Sequence, residues 1–343
     1  MKEGFELVNN VEASLREEAK KLLSEKKVAV IVGYEAGTLP LTATPCFIST
    51  PEEVDRLVYN PFCVQSLAVY VTEIISQHRD SQKRLKPEEK TKKVVGIVAR
   101  GCTSRSLVIH LQEKQYGRDE VVILGVPCRG YVDSKKLAAG VGGRDITAGT
   151  LEGDKIRVQI ASGAKELALA EVTADNCLTC HFNNPVIHDL MLGEAAAPMD
   201  TAGEYGRVDQ FAALPEEERW TFFVKEMDKC IRCYACRNAC PSCYCRSCFA
   251  EQTQPEWVGR GTERSDSEVF QIMRLFHMAG RCVDCGSCVS VCPMNVDLRT
   301  YLKKLDKDGW ELFAHRAGAS LEDPAMLSTF KEDDKQDFIF NPE

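Results

Sequence analysis

The chain has no long apolar run, no excess of positive charge and no phosphate-binding glycine loop. Its longest apolar stretches, such as residues 121–127, are strand-sized, far short of the ~20 residues a membrane-spanning helix needs. Residues 1–27 are charged throughout and contain no apolar segment of signal-peptide length. A formal charge of -8 argues against a nucleic-acid backbone or an anionic membrane surface as the main partner. The glycines of residues 140–143 lack the spacing of a dinucleotide fingerprint. Histidine is scarce, at six residues, and His78, His110, His188 and His277 are scattered over segments read as helix or loop. No acid–base pair or nucleophile stands out, which weighs against a self-contained catalyst. These absences leave a cytoplasmic protein with no membrane span as the expectation.

Cysteine, by contrast, is abundant: there are 17. In a chain of 343 residues without an export signal, so many thiols point to metal binding rather than disulfides. Two runs repeat one another, Cys230-Ile-Arg-Cys233-Tyr-Ala-Cys236-Arg-Asn-Ala-Cys240-Pro241 and Cys282-Val-Asp-Cys285-Gly-Ser-Cys288-Val-Ser-Val-Cys292-Pro293. This is the bacterial ferredoxin spacing for [4Fe–4S] clusters, in which three close thiolates serve one cubane and the fourth, before proline, serves the other. One cluster is therefore assigned to Cys230, Cys233, Cys236 and Cys292, and the second to Cys282, Cys285, Cys288 and Cys240. Two zinc knuckles are the alternative, but zinc sites use two separated ligand pairs rather than eight thiols in a doubled rhythm. Exposed clusters are oxygen-labile, so an anaerobic setting is expected.

Residues 11–26 read as an amphipathic helix and 28–32 as a strand. Thr50-Pro51-Glu52-Glu53 is a capping box with proline at the first helical position, opening a helix to about Tyr59. A second helix is read at 64–77 and a charged loop at 81–92. Residues 93–99 predict a strand, 104–116 a helix and 120–126 another strand. This β–α–β alternation implies a mainly parallel sheet in an α/β N-terminal domain. Cys102 and Cys128 then follow the carboxyl ends of strands, where open α/β sheets place their ligands. Further strand is expected at 151–161 and a short helical or extended piece at 165–170. The expected domains are an α/β unit over 1–195, a linker at 196–222, an α+β two-cluster ferredoxin-like module at 223–305 with helices at 220–227 and 265–279, and a loosely ordered tail at 306–343. The aromatic end of that tail, Phe338-Ile339-Phe340, is a candidate anchor for a partner.

Nine cysteines lie outside the doubled motif. Cys177-Leu-Thr-Cys180 is a ligand pair, and Cys102 with Cys128 would complete a third [4Fe–4S] site. Buried structural thiols, or a zinc site using His181, are the alternatives. Cys243, Cys245 and Cys248 are dense enough to suggest a fourth metal site with Cys46 or Cys63 as an outside ligand, or a thiol collar. Arg232, Arg237 and Arg246 stand among these cysteines with no acid between Cys230 and Cys248. They read either as charges tuning a cluster and docking an acidic redox partner, or as a solvated face.

The run Gly-Ile-Val-Ala-Arg-Gly-Cys102-Thr-Ser-Arg, then Ile-Leu-Gly-Val-Pro-Cys128, then Cys177-Leu-Thr-Cys180 resembles the β subunits of coenzyme F-420 hydrogenases and dehydrogenases. The formate dehydrogenase type, with a fused two-cluster ferredoxin module, looks closest. The resemblance runs from about residue 55 to residue 300. It implies that Cys102, Cys128, Cys177 and Cys180 hold a further [4Fe–4S] cluster and that FAD exchanges a hydride with the deazaflavin. It also implies partners that are redox subunits: a formate dehydrogenase or hydrogenase catalytic subunit, or a heterodisulfide reductase-like acceptor. No residue here matches a flavin motif. The expected function is an iron–sulfur electron-transfer subunit of a multi-subunit oxidoreductase. The alternative is an FAD-dependent oxidoreductase of deazaflavin or nicotinamide coenzymes in its own right.

Overall fold

Apolar residues at Val11, Leu15, Ala19, Leu22 and Leu23 recur at helical spacing and are buried, giving α1 (Glu3–Ser24) its inward stripe. The computed structural model describes residues 3–326, with side chains from Val11 onward. Contacts divide the chain into two units, Met1–Ser104 with Gln115–Ala202, and Arg105–Lys114 with Gly203–Glu343.

The first unit is built on a five-stranded sheet in the order β2-β1-β3-β4-β8. β1 (Val30–Ala36) and β3 (Val95–Ala99) are nearly continuous apolar runs buried on both faces, as strands of a covered parallel sheet must be. β2 (Ala43–Ile48) pairs antiparallel with β1 at the edge. The capping box is present, with the Thr50 amide donating to Glu53 Oε2 at 3.3 Å, but it opens only a 3₁₀ turn over Pro51–Arg56. The second helix begins later than expected, as α2 (Ala68–Ser81). The β–α–β unit matches expectation: β3 leads into α3 (Gly101–Gln112), which returns to β4 (Val121–Gly125), parallel to β3 from Val95↔Val121 to Ala99↔Gly125.

After α4 (Ser134–Gly140) the chain forms a separate antiparallel meander of β5 (Ile146–Glu152), β6 (Lys155–Ile160) and β7 (Gly163–Ala168). The strand expected at 151–161 contains β6 and the extended option at 165–170 overlaps β7, whereas most of β5 is not expected from the sequence. Only β6 alternates strictly, burying Ile156, Val158 and Ile160, whereas β5 and β7 are largely exposed, so their period-two signal is weak. Short helices α5 (Leu169–Val172) and α6 (Asp175–Leu178) lead to β8 (Leu190–Met191), which pairs parallel with β4.

The second unit is helical among the described residues: α7 (Gly206–Ala212), α8 (Glu216–Asp228), α9 (Ala235–Asn238), α10 (Arg264–His277), α11 (Ser287–Ser290) and α12 (Leu298–Phe313). Its share of strand is thus smaller than an α+β module implies. Its core gathers Phe223, Met227, Phe270, Leu275, Met278, Val296, Leu298 and Leu302 with Cys236 and Cys292. Two boundaries differ from expectation. The segment read as linker carries α7, where Arg207 donates to Thr300 Oγ1 at 2.9 Å. The start of the charged tail, residues 306–313, is the second half of the amphipathic α12, in which Lys303 pairs with Asp306, Lys304 with Asp308 and Lys307 with Glu311, and Leu298 and Leu302 are buried. Phe338-Ile339-Phe340 lies outside the described residues. No described helix is long and apolar enough to cross a membrane.

Candidate metal centres

In the second unit the two cysteine runs fold alike. The third and fifth residues of each, Arg232 and Tyr234 in one and Asp284 and Gly286 in the other, have left-handed backbones, with φ of 46°, 58°, 52° and 73°. A four-residue helix follows each, α9 and α11. Alternating hands curl the chain into a concavity of backbone N–H groups, a shape suited to anionic groups such as iron–sulfur clusters. Left-handed φ is costly for a tyrosine, and Gly286 takes the matching place in the second loop.

Around the first loop lies a cavity enclosing about 340 Å³ of non-atom space, its open mouth included. Its walls carry Cys230, Cys233, Cys236 and Cys292, together with Tyr234 and Phe270. Three of these thiols come from the first run and the fourth from the second. Gln271 Nε2 donates to Cys230 Sγ at 3.5 Å, and the Val296 amide to Cys292 Sγ at 3.4 Å.

Of the remaining thiols of the doubled motif, Cys240, Cys282 and Cys288 pack on the same core, and Cys285 Sγ hydrogen-bonds to Ser287 Oγ at 3.5 Å. Cys288 acts electrostatically on Cys282 and feels Cys240. Burial pushes the thiols of Cys236, Cys282 and Cys288 up. Cys240 hydrogen-bonds to Cys243, which raises Cys240 and lowers Cys243. The second loop is anchored by a two-pronged pair, Arg299 to Asp284 at 2.8 and 2.7 Å. Arg105 also donates to the Val283 carbonyl at 3.0 Å.

In the first unit, Cys128 feels Cys102, and Cys177 feels both, so the three thiols share one neighbourhood beyond the carboxyl ends of β3 and β4. Burial pushes Cys128 and Cys177 up. The segment after Cys180 is tied to the same place, since the Cys128 amide donates to the Asn183 carbonyl at 2.8 Å. Gly130 sits beside Cys177 with φ of 104°, a backbone that favours glycine. The Arg100 guanidinium is buried there, donating to the Cys63 and Val64 carbonyls and lying 5.0 Å from the Tyr131 ring centroid.

These surroundings fit iron–sulfur clusters better than single ions. A zinc ion draws its thiolates to about 2.3 Å, whereas a cubane gives each thiolate its own iron. The four cysteines line a hole, and none of the 17 thiols is in a disulfide.

Other expectations fare differently. Cys46 and Cys63 are core thiols of the first unit, each pushed up to about 12 by burial. Cys243 packs on the second unit's core, while Cys245 is exposed. The arginines do not form one open patch: Arg232 is buried and 3.9 Å from Asp266, and Arg237 pairs with Glu251 at 2.9 Å. Acids distant in sequence supply what the local run lacks. Sequence reasoning missed Arg100, Gln271 and Arg274. For the last two a signal existed, because Ser267, Phe270, Gln271, Arg274 and Leu275 share the buried stripe of α10.

Comparison with known proteins gives the chain's family. Residues 226–296 match the 4Fe-4S dicluster domain family. The chain is 37% identical to the F420-dependent formate dehydrogenase subunit beta of Methanocaldococcus jannaschii, over 81% of this chain and 84% of that one. It is 23% identical to the F420-dependent formate dehydrogenase 1 subunit beta of Methanococcus maripaludis, over 90% and 91% of the two chains. A chain in a xenon-derivatised F420-reducing [NiFe] hydrogenase complex of Methanosarcina barkeri aligns over 52% of this chain and 62% of its own, at 15% identity and a TM-score of 0.33. The chain belongs to the coenzyme F-420 hydrogenase/dehydrogenase β-subunit family, and its part is electron transfer through iron–sulfur clusters.

Proposed function

We propose that this chain is the electron-relay subunit of a formate dehydrogenase- or hydrogenase-type complex. It passes electrons between the catalytic subunit and a soluble or heterodisulfide reductase-like acceptor. Cys230, Cys233, Cys236 and Cys292 hold one [4Fe–4S] cluster, and Cys282, Cys285, Cys288 and Cys240 hold a second. Cys102, Cys128, Cys177 and Cys180 hold a third. The observation that carries this reading is the cavity walled by three thiols of one run and the last thiol of the other. That crossed set is what two neighbouring cubanes require.

Bound clusters would supply one-electron chemistry at potentials set by their surroundings. The protein's own contribution is to exclude water with Phe270, Val296 and Leu298, to donate N–H groups to sulfur, and to keep the two loops at a fixed separation on one core. FAD, which the family implies, belongs to the first unit in this reading, at the sheet edge where open α/β folds bind ligands.

Iron, sulfide, zinc and flavin counted on anaerobically purified protein test the proposal. About twelve irons per chain are expected, four for each cluster. About eight would remove the third cluster, and zinc without iron would remove the whole reading. Stoichiometric flavin with reduction of a deazaflavin or nicotinamide by the isolated chain would make it an enzyme in its own right.

A further inference from the structure

Among the described residues, a positive charge sealed inside the second unit has no carboxylate to answer it. Arg274 lies on the inward stripe of α10 and is 2% exposed. Its Nη2 donates to the Cys236 carbonyl at 3.0 Å. Nε and Nη1 are buried and meet no hydrogen-bond partner, and among the described residues no acid pairs with the guanidinium. The nearby Arg232, by contrast, has Asp266 at 3.9 Å. An unpaired buried cation with two idle donors is costly and persists where something anionic is meant to meet it.

The neighbours show where that anion would be. Arg274 interacts electrostatically with Cys236, which belongs to the first cysteine set, and with Cys288 and Cys240, which belong to the second. The guanidinium is therefore within reach of both thiol sets.

We propose that Arg274 is a shared positioning residue for the two cluster sites, a buried permanent cation that stabilises the reduced state of both clusters and so raises both potentials together. The inference rests on the cluster assignment above. Adding an electron to a thiolate-ligated cluster increases its negative charge, and a fixed cation favours the more negative form. Burial leaves that attraction weakly screened by solvent and salt. One cation serving two sites moves their potentials in the same direction, which keeps their difference small as the pair is tuned.

The experiment uses the full, anaerobically purified chain as wild type, Arg274→Gln and Arg274→Lys. Iron and sulfide are counted first, and both clusters are then followed by EPR during a dithionite titration. With wild-type iron content, Arg274→Gln is expected to shift the reduction equilibrium of both clusters about tenfold toward the oxidised form, or about 59 mV for a one-electron couple. Arg274→Lys should retain most of the wild-type potentials. Loss of iron in Arg274→Gln but not in Arg274→Lys would also support a requirement for charge. A shift in one cluster only, no shift, or equal loss of iron in both variants overturns the proposal. Wild-type protein with fewer than about eight irons per chain overturns instead the cluster assignment, and with it the basis of the inference.

Discussion

Gly101 packs so closely on Phe182 that a Cβ added to the glycine would stand 1.6 Å from the Phe182 carbonyl oxygen. That contact holds the segment following Cys180 against the start of α3, next to Cys102. Only a residue without a side chain permits it. Gly101→Ala must therefore displace the 182–184 segment. Iron should fall from about twelve to about eight per chain, with the dicluster EPR signals retained. Helix propensity alone favours alanine by about 1 kcal/mol, so a more stable variant with full iron would refute the argument.

The crossed cysteine assignment makes a pairing prediction. Cys292→Ser should perturb the same cluster signal as Cys233→Ser, although the residue is close in sequence to Cys288. Cys240→Ser should perturb the signal altered by Cys285→Ser. Freeze-quenched EPR of the four variants distinguishes the crossed from the sequential pattern, and matching of Cys292→Ser with Cys285→Ser would sink the assignment.

His110 is buried, with Nε2 2.7 Å from the Pro241 carbonyl oxygen. Burial lowers its pKa to about 4, and Arg281 adds to the shift. The unfolded chain binds a proton near 6.5, so the stability from neutral His110 is complete above that pH and drains as pH falls toward 4. About 2 kcal/mol should be lost by pH 5 through this residue. Denaturant midpoints at pH 7 and pH 5 should fall less in His110→Gln than in wild type, and equal falls would count against the assignment.

Lys303 is buried between Glu204 and Asp306, at 2.7 and 2.8 Å. Arg316 also reaches Glu204, at 3.0 Å. Lys303→Met leaves Asp306 buried without its cation and should cost about 3 kcal/mol, the low end for a broken buried pair. Urea unfolding measures this directly; a loss below about 1 kcal/mol would place the group in a wetter setting.

Much of the site is legible in the order of the amino acids. Spacing alone singles out eight cysteines as candidate ferredoxin ligands within the matched 226–296 region, because cluster chemistry requires thiolates at short, regular intervals. The β3–α3–β4 alternation places Cys102 and Cys128 at one sheet edge, because parallel strands need a helix between them. The β5–β7 meander is less legible, since two of its strands bury too little to alternate. Residues 306–313 read as the start of a charged tail because the pairing of Lys307 with Asp209 spans distant parts of the chain.

Local order along the polypeptide thus determined the ligand chemistry and the parallel sheet, both of which depend on neighbours a few residues apart. Only the tertiary structure brought Gln271 to Cys230 and Asp266 to Arg232. It also left Arg274 buried without an acid among the described residues. The reason is that charge neutralisation, side-chain hydrogen bonding and burial are set by which distant side chains share a volume, and no short window of sequence carries that information.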